Sequence, residues 1–232
     1  MGNAALIVGA GRGNRMKGSV PKQYRSLGGM PIIRRTIAAF LRHPDIATVQ
    51  AVIHPDDLTL YQDATQGLGL PPPVMGGDTR QQSVHRGLES LAGLAPAKVL
   101  IHDAVRPFVE ADTISAVLAA LDTEPAIIAA MPVTDTLKRC SGNRVTATVD
   151  RTDLWRAQTP QGFHFATLLS AHRDAERNNP ANLELTDDAA VLELAGVAIN
   201  VVRGSEDNIK ITTEHDLLRA ELMLRTGWLA EA

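Results

Sequence analysis

The sequence lacks the residues that mark several functional classes. It has one cysteine, Cys140, in 232 residues. That excludes an intrachain disulfide and a four-thiolate zinc site, and it fits a reducing compartment, so a cytoplasmic location is expected. Aromatic residues make up only 3% of the chain, too few for a stacking platform that grips single-stranded nucleic acid. No apolar run approaches the ~18 residues of a membrane span. The stretch before Gly9 has no basic region ahead of its apolar residues and does not read as a signal peptide. The motifs His-Glu-x-x-His and Gly-x-Ser-x-Gly are absent, as are clustered Cys and His and a DNA-reading helix pattern.

Acidic residues are absent before Asp45, whereas Arg12, Arg15, Lys17, Lys22, Arg25, Arg34, Arg35 and Arg42 all precede it. The net charge of −3 therefore hides a basic N-terminal block on an acidic body. Such an asymmetry points to a local anion site rather than to a nucleic-acid surface. Arg34, Arg35 and Arg42 read as a solvated helix face.

Apolar runs at 4–8, 46–53, 98–102, 126–131 and 197–202 read as strands. Between them, apolar residues at helical spacing predict helices over 32–41, from Pro55, over 81–91, from Asp112 as cap, over 186–194, and over 213–225 with Thr213 as cap. Strands alternating with helices imply right-handed crossovers and a three-layer α/β sandwich around a mostly parallel sheet, Rossmann-like in class. The stretch 132–160 breaks the rhythm. Val133, Val145, Thr146, Thr148 and Val149, with a Ser141-Gly142-Asn143 turn, predict a β-hairpin standing away from the sheet. With no repeat and no linker, the expectation is one domain over 1–232 with 132–160 as an inserted arm. An isolated hairpin is marginal in water, so the arm is expected to pack on a second copy and form a homodimer.

Three constellations carry chemistry. Gly9-Ala-Gly-Arg-Gly-Asn-Arg-Met-Lys-Gly-Ser-Val-Pro-Lys22 follows the first strand. Its glycines let backbone N–H groups approach phosphates. It is neither a dinucleotide fingerprint, since Asn14 stands where a glycine is needed, nor a Walker loop. Its cations Arg12, Arg15, Lys17 and Lys22 suit a triphosphate that loses pyrophosphate. Asp103, in Ile101-His-Asp-Ala-Val-Arg-Pro107, ends an apolar strand, where ligands gather in open α/β sheets. It is a candidate Mg²⁺ ligand beside a polyphosphate, a turn cap being the plainer alternative; His102 reads as structural. Gly76-Gly-Asp-Thr-Arg-Gln-Gln-Ser83 is a glycine turn into a helix that either reads a base or ribose or is simply capped by Asp78. Lys210, alternating with Ile209 and Ile211, reads as a strand lysine facing a phosphate or lying at a sheet edge.

Taken in order, GAGRGNRMKGSVPKQY (9–24), GGDTRQQSV (76–84), HDAVRPF (102–108), PVTDTLKR (132–139), TVDRTDLWRAQTPQGF (148–163), LTDDAAVLE (185–193) and DNIKIT (207–212) resemble the 2-C-methyl-D-erythritol 4-phosphate cytidylyltransferases of the non-mevalonate isoprenoid route. The resemblance covers nearly the whole chain. It implies a nucleotidyltransferase fold, CTP and a polyol phosphate as substrates, Mg²⁺, and an arm that exchanges contacts across a homodimer. It implies transition-state roles for Arg15 and Lys22. It implies CTP contacts at Val8, Gly9, Ala10, Gly11, Lys22, Gly77, Asp78, Ser83 and Ala104. Asp103 would be the metal ligand beside the substrate; Arg106, Thr136 and Arg151 would bind methylerythritol phosphate, with Arg151 near the chemistry and some of these contacts coming from the partner. Lys210 would align the attacking phosphate. The family usually has alanine where this chain has Gly9, a change that removes no functional group. Some relatives are fused to a cyclodiphosphate synthase whose metal site includes an Asp-x-His pair, which does not occur here. Alternatives at this stage are a cytidylyltransferase for another polyol phosphate such as ribitol 5-phosphate, a sugar-1-phosphate nucleotidyltransferase, and a non-catalytic nucleotide-binding module.

Overall fold

A computed structural model describes residues 2–12, 16, 18, 20–178 and 185–226. Strand β1 (Asn3–Gly9) leads through a 3-10 turn at Lys22–Tyr24 to the short strands β2 (Ser26–Leu27) and β3 (Met30–Pro31) and helix α1 (Ile32–Leu41). Next come β4 (Ile46–Ile53), α2 (Leu58–Thr65), β5 (Val74–Met75), α3 (Arg80–Leu91), β6 (Lys98–Asp103), α4 (Ala111–Ala120) and β7 (Ala126–Pro132). The remainder holds β8 (Leu137–Ser141), β9 (Arg144–Val149), β10 (Trp155–His164), α5 (Phe165–Asn178), α6 (Asp188–Leu194), β11 (Asn200–Arg203) and α7 (Glu214–Arg225).

Seven strands form one sheet in the order β11-β7-β10-β6-β1-β4-β5. All neighbours run parallel except β10, which is antiparallel to both β6 and β7. The period of two in β1 shows how the layers arise. Ala5 and Ile7 face a core shared with α1, α2 and α4. Ala4 and Leu6 face a second core shared with α3, α5 and α6. A third cluster, around Leu27, Ile32, Val105, Phe108, Ile211 and Met223, seats α7. Because both faces are covered, β1 is apolar along most of its length rather than alternating with polar residues.

The expected sandwich is therefore present, with several differences in detail. The stretch 155–160 does not belong to the arm. It is the first part of β10, the strand between β6 and β7. Only β8 and β9 form the free hairpin, turning at Gly142 and Asn143 as the sequence predicts. Glu110, not Asp112, is the cap residue of α4, and Asp112 lies in its first turn. The predicted strand over 197–202 shortens to Asn200–Arg203, and the helix over 186–194 begins at Asp188, capped by Asp187. Thr213 caps α7 in a reciprocal box with Asp216. Lys210 lies on no strand. It sits in an irregular segment held by the Ile211 N–H to Val105 carbonyl bond of 2.9 Å. Nor are Arg34 and Arg35 merely solvated: they donate to the carbonyls of Ala64, Gln66, Leu27 and Gly28.

Helix α3 packs on the sheet through Gly87. A Cβ there would stand 2.6 Å from a Leu6 methyl and 2.8 Å from Val52 Cγ2. Helix propensity favours alanine over glycine by ~1 kcal/mol, but overpacking a tight core costs roughly 1–3 kcal/mol. Leu6 and Val52 are fully buried, so the steric term wins. Gly87→Ala is expected to lower the unfolding free energy by about 1–2 kcal/mol, read from the midpoint of a urea titration. A midpoint equal to or above wild type would show that the layers separate without cost.

Candidate active site

The carboxyl ends of β1, β6 and β7 lie on one edge of the sheet, since these strands are mutually parallel through β10. A cleft of about 190 Å³ opens there. Among the residues that line it are Val8, Gly9, Ala10 and Gly11 from the end of β1, Lys22, Gly77, Asp78 and Ser83 before and within α3, Asp103 at the end of β6, and Lys210. Every one of these is a residue singled out from sequence. The structure brings them together from five separate segments.

Other expected residues fall elsewhere. Arg15 lies outside the described residues. Ala104 is fully buried, and its N–H donates to the Val8 carbonyl at 3.0 Å, so it locks β6 to β1 instead of lining the cleft. The guanidinium of Arg106 turns to the Asn208 carbonyl (2.7 Å) and to Asp103 (3.3 Å). Thr136 and Arg151 are exposed beside the hairpin, where Arg151 donates to the Thr134 carbonyl, and neither lines the cleft of its own chain. Arg12, one of the four clustered cations, is held between Asp56, Asp57 and His54. It anchors the loop after β1 rather than offering its charge to a ligand.

Local chemistry explains the cleft walls. Gln23, buried and unremarked in the sequence, donates to the Gly9 carbonyl at 2.8 Å and so turns the end of β1. The hydroxyl of Ser83 accepts from the Gly77 N–H (3.0 Å) and donates to the Thr79 carbonyl (2.8 Å), fixing the glycine turn. Thr79, rather than Asp78, caps α3. Gly76 has no room for a side chain, because a Cβ would meet Ala10 Cβ at 2.4 Å. At Gly9 a Cβ would stand 3.1 Å from Ala104 Cβ, so the missing methyl leaves that contact relaxed. Arg80 and Thr79 also line the cleft; both lie in the glycine-turn motif, where neither spacing nor composition marks them out.

Asp103 is the electrostatic centre. Burial pushes its carboxyl upward, but Lys210, Arg80 and Arg106 outweigh that and hold it well below the usual carboxylate range. The Lys210 ammonium lies 3.0 Å from its Oδ2. Behind it, His102 is fully buried, with Nε2 3.1 Å from the Arg106 carbonyl and Nδ1 3.1 Å from the Thr159 hydroxyl. A carbonyl only accepts, so Nε2 carries the hydrogen and Nδ1 accepts from Thr159. The Thr159 oxygen in turn accepts from the Asp103 N–H. His102 thus orients the strand end and performs no proton transfer to the cleft.

The sequence model of the family "IspD: 2-C-methyl-D-erythritol 4-phosphate cytidylyltransferase" matches residues 3–226. The chain belongs to that family. It is 55% identical over 223 residues to the bifunctional enzyme IspD/IspF of Rhodospirillum rubrum, covering 96% of this chain and 57% of that one. The counterpart from Paramagnetospirillum magneticum is 53% identical, covering 94% and 56%. The chain thus spans little more than half the length of these IspD/IspF relatives. Among solved structures, the 4-diphosphocytidyl-2C-methyl-D-erythritol synthase of Anaerococcus prevotii superposes with a TM-score of 0.83 at 28% identity, covering 97% of this chain and 98% of that one. The cytidylyltransferase of Thermus thermophilus gives 0.79 at 34% identity, covering 95% and 98%. Among the described residues no helix is long and apolar enough to cross a membrane.

Burial holds His102 neutral, with its pKa lowered to about 4. An unfolded histidine titrates near 6.5. Between these values the unfolded chain binds a proton that the folded chain does not, so stability falls as pH falls, by ~1.4 kcal/mol per pH unit for this group. Above pH ~6.5 the contribution is fully present. His102→Gln should therefore lose less stability than wild type between pH 7 and pH 5 in urea titrations. Equal losses would show that His102 is charged in the fold.

Proposed function

We propose that the chain transfers CMP from CTP to 2-C-methyl-D-erythritol 4-phosphate, releasing pyrophosphate. The observation that carries the reading is the convergence, in one cleft, of a glycine-walled nucleotide surface with Lys22, Lys210 and Asp103. The attacking group is a phosphate that is already anionic, so the reaction needs no protein base. It needs alignment and positive charge where negative charge accumulates. The Val8–Gly11 and Gly77–Ser83 walls bind the nucleotide. Lys22, with Arg15, meets the charge that develops as pyrophosphate departs. Lys210 holds the attacking phosphate in line, its ammonium fixed by Asp103. Arg106 braces Asp103 from behind the cleft.

The donor set fits Mg²⁺. Asp103 and Asp78 are the two carboxylates that line the cleft, and the described residues hold no group of three His, Cys, Asp or Glu side chains suited to bind a metal by themselves. Mg²⁺ commonly takes one or two carboxylates and completes its shell with phosphate oxygens and water. Bound there, it would supply charge neutralisation to the nucleotide phosphates. Asp103 would hold it.

Turnover is expected to need CTP, methylerythritol phosphate and Mg²⁺ together, read as pyrophosphate release over four nucleoside triphosphates and several polyol phosphates. A higher kcat/KM with ribitol 5-phosphate would overturn the substrate assignment. Lys22→Ala should lower kcat by roughly 10²-fold, the range for losing a preorganised charge, while changing CTP affinity less. Lys210→Ala should impair turnover and methylerythritol phosphate binding but leave CTP binding nearly intact, with Lys210→Arg rescuing in part. Tenfold weaker CTP binding with unchanged kinetics in methylerythritol phosphate would assign Lys210 to the nucleotide.

The arm supports a homodimer with shared sites. The β8–β9 hairpin is exposed on both faces, and its Val145 presents 56% of its surface. Thr136 and Arg151 do not line their own cleft, which supports the reading that they serve a partner's. Mixing inactive Lys22→Ala and Arg151→Ala chains should then restore about a quarter of wild-type activity, because half of randomly exchanged dimers are hybrids with one intact site of two. No recovery after verified exchange would mean that each chain works alone.

A further inference from the structure

The motif LTDDAAVLE (185–193) has no part in the chemistry above, yet it delivers one of the few fully buried charges of the fold. Its Asp188 is 1% exposed at the first position of α6. Gln161, on the central strand β10, seats it. The Gln161 Oε1 accepts from the Asp188 and Ala189 N–H groups at 3.1 and 3.3 Å, while its Nε2 donates to Asp187 at 2.8 Å. The Asp188 carboxylate then faces two side chains from other helices. Arg80 Nη2 of α3 lies 2.7 Å from Oδ2, and His172 Nε2 of α5 lies 3.4 Å from Oδ1. Both carboxylate oxygens are closed to solvent, and neither meets an aligned donor among the described residues. The carboxylate therefore holds Arg80 by charge. A buried carboxylate so placed is costly unless paired, so its position requires a cause beyond core packing.

Arg80 supplies that cause. Its side chain is 27% exposed, and it lines the cleft beside Asp78 and Ser83. We propose that Asp188 is a positioning residue that, through Arg80, fixes a cation on the cleft wall for the phosphates of the nucleotide. A guanidinium suits the task because its charge is spread over a plane that can face the carboxylate on one side and offer N–H donors to a phosphate oxygen on another; an ammonium presents a single point. The buried end of the pair is tied to β10 and α6 and the exposed end opens on the cleft. The seating of α6 is in this way coupled to the nucleotide. The inference deepens the proposed function and rests on the cleft being a nucleotide site.

The test is CTP binding by calorimetry, beside steady-state kinetics, in three variants with thermal melting as the folding check. Asp188→Asn is isosteric, and it leaves behind an arginine that reaches water. It should weaken CTP affinity about tenfold, the ~1.4 kcal/mol expected for a charged contact, with KM for methylerythritol phosphate unchanged. In Arg80→Gln/Asp188→Asn, affinity should fall no more than two- to threefold below Asp188→Asn alone, because the arginine's contribution is already lost. Arg80→Lys should weaken CTP binding several-fold. Wild-type CTP affinity in folded Asp188→Asn, or a further tenfold fall in the double variant, would overturn the proposal. Should Asp188→Asn not fold, wild-type affinity in Arg80→Lys would overturn it as well. A wild-type chain that binds CTP but releases no pyrophosphate with methylerythritol phosphate would refute the proposed function and leave this inference to be judged on the affinities. A wild type that binds no CTP would refute both.

Discussion

A carboxylate buried at the end of a parallel strand has to be neutralised where it stands, and this chain does so at Asp103. The ends of β1 and β6 bring backbone and carboxylate to one edge of the sheet, and the cations arrive from three other directions. Lys210 comes from the segment after β11, Arg106 from the turn after β6, and Arg80 from the start of α3. Each would be a mobile surface charge in isolation. Around a desolvated anion they are drawn into fixed positions, since charges interact far more strongly away from bulk water. The cleft is the space left between segments that this one requirement gathers.

Buried polar side chains then hold those segments in place. Gln158 accepts from the Ser205 N–H and donates to the Ser205 carbonyl; Asn208 donates to the Thr159 carbonyl at 2.7 Å. These bonds tie the segment bearing Lys210 to the central strand β10. Gln23 and Arg12 do the same for the loop after β1, through Gly9 and Asp57. Apolar packing builds the three layers, but it has no directional preference that would aim a loop. Hydrogen bonds inside a low-dielectric interior do have one, and an unmade bond there is costly.

The layers were legible in the sequence because their signal is periodic. Runs such as Ile46–Ile53 and the helical spacing in Ile32–Leu41 reflect burial directly. Strand β10 was not legible. It carries Gln158, Thr159, Pro160, Gln161 and Gly162, a composition that argues against a central strand. The sheet admits it through a break in register between Ala157 and Gln161, and its polar residues are buried because each grips another segment. The alternation of Ile209 and Ile211 around Lys210 imitates a strand, since an extended segment lying on a core has the same period with no ladder partner. Clustered cations after β1 overstated the positive charge available, because Asp56 and Asp57 lie 44 and 45 positions beyond Arg12 and pairing at that distance leaves no local trace. The cleft residues were legible through a resemblance carried by several ordered motifs. Arg80 and Asp188 sat inside two of those motifs, but only folding shows that they meet.

The two borders of the large sheet are short. On one side β5 offers two residues, Val74 and Met75; on the other β11 offers four, ending in Arg203. An open strand is a template on which another chain can extend the ladder, and the hazard grows with its length and flatness. Here the central strands most prone to such growth are enclosed, while the rims present too few free amides to start it. At the high concentrations reached during expression or storage, the large sheet therefore offers little template for edge-to-edge growth.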